Sequence, residues 1–461
     1  MNSLKKIFST YWYRSGFFSV LQRFSLVFFG LVSYLLLVRA LNTTVMGIWA
    51  LFLAVTTTFE MSKYALLKNG FVALYHTTES SKEHISIASS SLILNIGFTI
   101  LFIILVLALA PLLGTFFKTR ELTKLLYFYI PTSIILIPFS HLEYIQLANM
   151  TFKGIFASYF IRQGIFLLLV GIGILWFANT ITLPSLVLFQ TFGVLSGTLI
   201  SHLYTKKYLT YTFNPQKVWS KKLMNYGKYV LGSGICSNIF GSLDRYLIAS
   251  FMNPSSVAFY DVSARINNLI DVPTAAAADV IFPKSAKAAN TEGPSKVKFF
   301  YEKMVSILIG TILPLSILVF LFAKEIVIFI AGQKYAPAVI LIRIAMLYAF
   351  LRPVQIQASN VLNSINHPKT TFILNIVILS FTLTVDYICI KIFGFIGAAY
   401  GSFLTTIFST ILTFRYLKKL TSVRLIDILK MIPDFYRDLI FKSKSLLKVH
   451  PALVNTNSTN R

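Results

Sequence analysis

Residues 88–113 read ASSSLILNIGFTILFIILVLALAPLL, 26 positions without an Asp, Glu, Lys or Arg. A helix rises ~1.5 Å per residue and a bilayer's hydrocarbon core is ~30 Å thick, so ~20 mostly apolar residues cross it. Comparable stretches recur near 17–38, 45–60, 125–148, 155–178, 184–204, 228–251, 257–281, 305–330, 337–362, 370–391 and 395–416. The pattern predicts an all-α membrane protein with about 12 transmembrane helices.

Composition agrees. The 461 residues are 56% hydrophobic and 13% charged, and the mean hydropathy is +0.72. A soluble chain carries about twice that share of charge. The formal charge of +26 invites a nucleic-acid reading. However, the basic residues form no groove-like run among stacking aromatics; they sit between apolar stretches, where anionic membrane lipids are the natural partner and nucleic acid is not. Two cysteines, Cys236 and Cys389, both lie inside apolar stretches, which argues against a disulfide framework or a zinc site. Met1 to Ser15 lacks a short apolar core with a small-residue cleavage site and reads as an uncleaved N-terminus.

The connections set the orientation. Even-numbered connections and the two ends carry 29 Lys and Arg residues, against 6 in the odd-numbered ones (Arg39, Lys118, Arg120, Lys124, Lys334 and Lys391). Cytoplasmic connections hold the basic excess, so both termini are expected in the cytoplasm. The longest connections, about 61–87, 205–227 and 282–304, fall on that inner face. From Thr421 onward, Leu425, Ile428, Leu429 and Ile432 recur at helical spacing among basic residues. That spacing predicts a basic tail over 419–461 with an interfacial helix, and a disordered end from His450 to Arg461.

A repeat is present. A shift of 211 positions pairs Gly30 with Gly241, Leu36 with Leu247, Asn42 with Asn253, Thr44 with Ser255, Gly47 with Ala258, Trp49 with Tyr260 and Glu60 with Asp271. A shift near 215 pairs Pro138 with Pro353. Two pseudo-symmetric six-helix bundles, 1–204 and 228–418, joined by a basic 205–227 linker around a central cavity, are the expected architecture. Repeated halves of this kind are common in transporters.

Charges at membrane depth cost ~2.5–3.5 kcal/mol on insertion scales and mark substrate or ion paths, or pair to hold helices together. The cations within the expected stretches are Arg23, Arg162, Arg245, Arg265, Lys324, Arg343 and Arg352. The anions are Glu60, Glu143, Asp244, Asp261, Asp271, Asp279, Glu325 and Asp386. Asp261 and Arg265 stand i,i+4 with the acid first, the favourable order for a pair on one helix. Adjacent Asp244 and Arg245 point ~100° apart, so at least one should line an interior. Arg39 and Lys324 are expected to snorkel to headgroups. His141 and Glu143, two apart, do not share a helix face. Pro111, Pro131, Pro138, Pro314 and Pro353 imply kinks. No phosphate-binding glycine loop, HExxH motif or nucleophile elbow occurs, so an enzyme is not expected, and no cofactor.

Four motifs carry a resemblance. Arg39-Ala-Leu-Asn-Thr-Thr-Val-Met-Gly-Ile-Trp is similar to an "R-x-L-x-x-x-x-x-G-x-[WY]" hallmark, and Ser242-Leu-Asp-Arg-Tyr-Leu-Ile to a "D-[RK]-hydrophobic" signature. Val257-Ala-Phe-Tyr-Asp-Val-Ser-Ala-Arg265 resembles "G-x-Y-x-x-a-x-[rk]" with Ala258 for the usual Gly, and Ile281-Phe-Pro283 resembles a "hydrophobic-x-P" span ending. In their order and spacing these motifs resemble the polysaccharide transporters of the multidrug/oligosaccharidyl-lipid/polysaccharide flippase superfamily, close to the O-antigen flippases.

That resemblance implies a flippase of the bacterial inner membrane. It would move an undecaprenyl-pyrophosphate-linked O-antigen or capsule repeat unit from the cytoplasmic to the outer leaflet by alternating access, in lipopolysaccharide or polysaccharide biosynthesis. A polysaccharide polymerase partner and a coupling ion, H+ or Na+, go with it. The motif match points to Asp244, Arg245 and Arg265 as substrate-binding residues. Arg23, Arg162 and Arg352 join them on physical grounds, because a guanidinium grips phosphate bidentately and stays charged. Glu60, Asp244 and Asp271 are the expected ion-coupling carboxylates. A multidrug or metabolite exporter of the sister branch, or a flippase for lipid II or teichoic-acid precursors, remains the alternative.

Overall fold

The computed structural model describes residues 11–78, 80–177, 181–209, 212–365 and 367–449. Among them every regular element is a helix. The residues before Tyr11, the stretch His450 to Arg461, and the side chains of Cys236 and Asp279 lie outside what is described. The chain divides into two compact units, Met1–Phe259 and Tyr260–Arg461.

The first unit contains α1 (Tyr11–Ala40), α2 (Thr43–Tyr75), α3 (Ser81–Phe116), α4 (Arg120–Phe128), α5 (Ile130–Ala148), α6 (Phe152–Phe177), α7 (Leu183–Thr205), α8 (Lys217–Phe251) and the start of α9 (Pro254–Thr291). Helix α2 packs along α8, α6 lies between α1 and α7, and α5 packs on α7. Leu66, Leu67, Phe71, Ile87, Tyr144 and Trp219 form one of its buried clusters. The second unit contains the rest of α9, then α10 (Pro294–Leu321), α11 (Ala323–Ala331), α12 (Ala338–Tyr348), α13 (Arg352–Ser364), α14 (Pro368–Phe393), α15 (Gly397–Thr421) and α16 (Leu425–Val449). Here α14 packs on α15, and α10 against α16. Tyr301, Val305, Val354, Val361, Leu417 and Ile428 share its core.

Local chemistry sets the breaks. Asn42 caps α2 by accepting the Val45 N–H at 2.8 Å, as a short polar side chain at a helix start does. Thr182 and Ser185 form a reciprocal capping box at the start of α7. Gly293, at φ +83°, turns the chain ahead of Pro294 in the first turn of α10. Two of the expected kinks are breaks. Pro131 opens α5, which is bent 42° from α4; Pro353 opens α13 after a short turn from α12. Proline has no N–H to give the preceding turn and its ring clashes there, so a helix begins at it readily.

The helices also overrun the expected connections. Helix α2 continues past 60 to Tyr75, and α9 past 281 to Thr291, two residues before α10. The connections expected at 61–87 and 282–304 are therefore mostly helix. Lys63, expected in the first of them, is instead on α2 and 3% exposed. A carboxylate one turn back, Glu60, compensates its charge inside the bundle.

Large apolar side chains crowd the outside, with Leu175 80%, Trp176 76% and Phe329 77% exposed; in a bilayer, lipid covers them. Among the described residues eight stretches are long and apolar enough to cross a membrane, nine with the bent α4–α5 pair, and one of these, Lys369–Thr421, takes in both α14 and α15. This is a multi-pass membrane protein. Helices α8 and α9, expected as the seventh and eighth crossings, are not among the eight. They carry Asp244, Arg245, Asp261, Arg265, Asp271 and several Asn and Ser residues along their length, which lowers their apolar character. The tail forms α16, and one of its faces packs on α10. Ile428 is 1% exposed against the α10 core, and the Tyr436 hydroxyl donates to the Gly310 carbonyl. Leu425, Ile426 and Leu429 stay exposed.

Candidate functional site

In the first unit α2, α5 and α6 bring a polar cluster together. Glu143, on α5, is 5% exposed. The Tyr64 hydroxyl donates to its Oε1 at 2.6 Å, and the Tyr159 hydroxyl to its Oε2 at 2.9 Å. Two cations lie over aromatic faces of this cluster. Lys68 Nζ lies 4.7 Å from the centre of the Tyr64 ring. The Arg162 guanidinium lies 5.0 Å from the Phe139 ring and 6.0 Å from that of Tyr159, close enough for cation–π attraction. Glycines hold Arg162 there: a Cβ on Gly193 would meet the Arg162 carbonyl oxygen at 2.6 Å, and one on Gly197 would meet Arg162 Cβ at 2.9 Å. Small residues let membrane helices approach this closely.

One turn away on α2, Glu60 Oε2 pairs with Lys63 Nζ at 3.1 Å, and Lys63 also donates to Thr99 Oγ1 at 3.3 Å. On α8, Asp244 and Arg245 are both half-buried, with Arg245 Nη1 donating to the Gly241 carbonyl at 3.2 Å. Arg23 sits exposed on α1.

In the second unit Asp261 is 2% exposed and accepts from Arg265 Nε at 3.0 Å. The i,i+4 spacing therefore does make a pair. Asp271 of α9 meets Arg352 of α13, with Oδ2 and Nη2 2.6 Å apart and the two side chains 21% and 31% exposed. Gln357 donates to the Thr274 carbonyl at 2.8 Å, a second tie between the same helices. Two residues expected in different roles, Arg352 for substrate and Asp271 for an ion, are thus one ion pair. Asp386 is fully buried against Gly401, where a Cβ would meet its Oδ1 at 1.9 Å. Near the tail, Lys298 Nζ bonds Asp427 Oδ2 at 2.9 Å, and the Arg424 N–H donates to Glu302 Oε1 at 2.8 Å.

Among the described residues no group of three His, Cys, Asp or Glu side chains could hold a metal. His141 packs edge-on to Phe71 instead, 6.3 Å between ring centres. The Glu143 cluster is the feature that sequence reasoning missed. Its parts are legible as spacings, Tyr64 to Lys68 at i,i+4 and Tyr159 to Arg162 at i,i+3, which share helix faces. Their convergence on one carboxyl is not.

A family model described as "Polysaccharide biosynthesis protein" matches residues 5–340. The chain is 22% identical over 205 residues to a probable low-salt glycan biosynthesis flippase of Haloferax volcanii, covering 44% of this chain and 43% of that protein. It is 27% identical over 258 residues to an uncharacterized membrane protein of Methanocaldococcus jannaschii, covering 52% of this chain and 51% of that one. The chain spans about half the length of the curated relatives it matches. Among solved structures, lipid II flippase MurJ in an inward closed conformation superposes with a TM-score of 0.74 at 16% identity, covering 93% of this chain and 92% of that chain. The fold is therefore the one seen in that transporter.

Proposed function

The chain belongs to the polysaccharide biosynthesis protein family, and on that premise we propose that it is a flippase for a lipid-linked oligosaccharide. The substrate would be an undecaprenyl-pyrophosphate-linked repeat unit, carried from the cytoplasmic to the outer leaflet of a bacterial inner membrane by alternating access. The six-helix halves on either side of 205–227, both termini in the cytoplasm, and a polymerase partner belong to the same proposal.

One observation carries it. Arg162 lies on α6, Arg245 on the 35-residue α8, Arg265 on the 38-residue α9, and Arg352 opens α13 within the apolar stretch Ala338–Ser364; all four are half-buried. A charge at that depth neither faces lipid cheaply nor is walled off, and the guanidinium fork suits a diphosphate. Arg265 and Arg352 hold carboxylates with side chains 35% and 31% exposed, so an incoming phosphate oxygen can displace the carboxylate oxygen. The relatives named as glycan flippases support the same substrate class.

The test is surface glycan display in a strain lacking the gene and complemented with variants. Arg265→Glu and Arg352→Glu should insert normally and abolish display. Normal display with both would overturn the proposal. A change in drug susceptibility with display intact would favour an exporter.

A further inference from the structure

Four carboxylates of the membrane-length helices can be compared by what neutralises them. Glu60 has Lys63 at 3.1 Å, Asp261 has Arg265 at 3.0 Å, and Asp271 has Arg352 at 2.6 Å. Glu143 is different. Both its oxygens are taken by neutral phenols, Tyr64 and Tyr159, and among the described residues no cation stands within 4 Å of it. The neighbouring charges lie over the faces of those rings, Lys68 on α2 over Tyr64 and Arg162 on α6 over Tyr159. On its own helix, the nearby titratable groups are His141 and Tyr144, both buried. Helix α7 meets this corner with Gly193 and Gly197.

Proton gain at Glu60, Asp261 or Asp271 would leave a cation uncompensated at membrane depth. At Glu143 it breaks no ion pair. A phenol both donates and accepts. A protonated carboxyl can therefore give its O–H to one tyrosine oxygen and still accept from the other hydroxyl. Both charge states stay hydrogen-bonded, which a buried group needs if it is to change charge reversibly. The charge also matters to its neighbours. While ionised, Glu143 attracts the nearby Lys68 and Arg162 by Coulomb interaction; once neutral, it leaves two cations free to hold an anion.

We propose that Glu143 is a reversible proton-binding site, clamped by Tyr64 and Tyr159, and that its neutralisation frees Lys68 and Arg162 for a phosphate-type anion. The reaction is carboxylate plus a proton from water giving the carboxylic acid, with no other reactant. The second half of this proposal rests on the flippase reading; the first does not.

The experiment is infrared difference spectroscopy of the full-length protein in lipid vesicles during a pH titration, with inorganic pyrophosphate binding measured on the same samples. Wild type should gain a buried carboxylic-acid C=O band on acidification. That band should be absent in Glu143→Gln and shifted in Tyr64→Phe and Tyr159→Phe. If Glu143→Gln does not fold, Glu143→Asp should move the band rather than remove it. Pyrophosphate should bind about tenfold tighter to wild type at the acid end, and tightly at every pH to Glu143→Gln. Identical difference spectra for wild type and Glu143→Gln overturn the proton site, whatever glycan display shows. A titrating band with pH-independent pyrophosphate binding overturns the link to the cations.

Discussion

Thr44 Oγ1 lies 2.9 Å from Ser255 Oγ, and these two residues occupy the same position in the two sequence repeats, 211 residues apart. The helix ends around them keep that register: Ala40 and Phe251 close α1 and α8, and Thr43 and Pro254 open α2 and α9. The two junctions meet through equivalent residues, and Thr43 also donates to Ser255 Oγ at 3.2 Å. Gly47 makes the approach feasible, since a Cβ there would fall 1.7 Å from the Pro254 carbonyl oxygen.

Gly47→Ala should therefore destabilise the protein. The obstacle is backbone, which cannot rotate away, so the cost is about 1–3 kcal/mol or more. Gly30 and Gly241 are the contrast, because among the described residues a Cβ at either would meet no atom within 4 Å beyond its own helix backbone. Alanine at either should be neutral or gain up to about 1 kcal/mol from helix propensity. Thermal unfolding in detergent reads all three; a Gly47→Ala midpoint equal to wild type would refute the close contact.

The Asp271–Arg352 pair should behave as a unit. Asp271→Asn or Arg352→Gln alone removes a charge-assisted hydrogen bond worth about 1.5–3 kcal/mol. The exchange Asp271→Arg with Arg352→Asp should recover part of the lost stability. A double variant no more stable than the sum of the two single losses would show that the groups do not interact.

Gln146 ties α5 to α7. Its Nε2 reaches the Ser201 carbonyl at 3.0 Å, Ser201 Oγ at 2.8 Å and Thr205 Oγ1 at 2.8 Å, all buried. Gln146→Leu keeps the volume and leaves the buried Ser201 Oγ without its donor, while Thr205 Oγ1 still donates to the Ser201 carbonyl at 2.7 Å, at a cost of about 1–3 kcal/mol. A melting temperature unchanged from wild type would contradict this.

The tail contact should be acid-sensitive. The hydrogen bond from Lys298 holds the Asp427 carboxyl below its ordinary range. A carboxyl lowered in the folded state contributes stability above its unfolded value, about 3.9, and loses it as pH falls through the folded value. Hydrogen exchange across 425–436 should thus speed up below about pH 4, and Asp427→Asn should show the faster exchange at neutral pH. Equal protection in Asp427→Asn and wild type at neutral pH would exclude a role for this bond in seating α16.

The apolar runs, by length alone, determined a multi-pass helical membrane protein, because a bilayer accepts few other backbones. Neighbours along one helix were equally legible: the Asp261–Arg265 pair follows from its i,i+4 spacing. Lys63 was misplaced because a lysine between apolar residues reads as a loop charge until its buried partner is known. Only the tertiary structure decided that Arg352 meets Asp271, and that Tyr64, Tyr159 and Glu143 converge with Lys68 and Arg162 over the ring faces. Helix periodicity tells which residues share a face; which face meets which depends on packing between helices distant in the chain, and that is set by side-chain shape and by glycines such as Gly193 and Gly197.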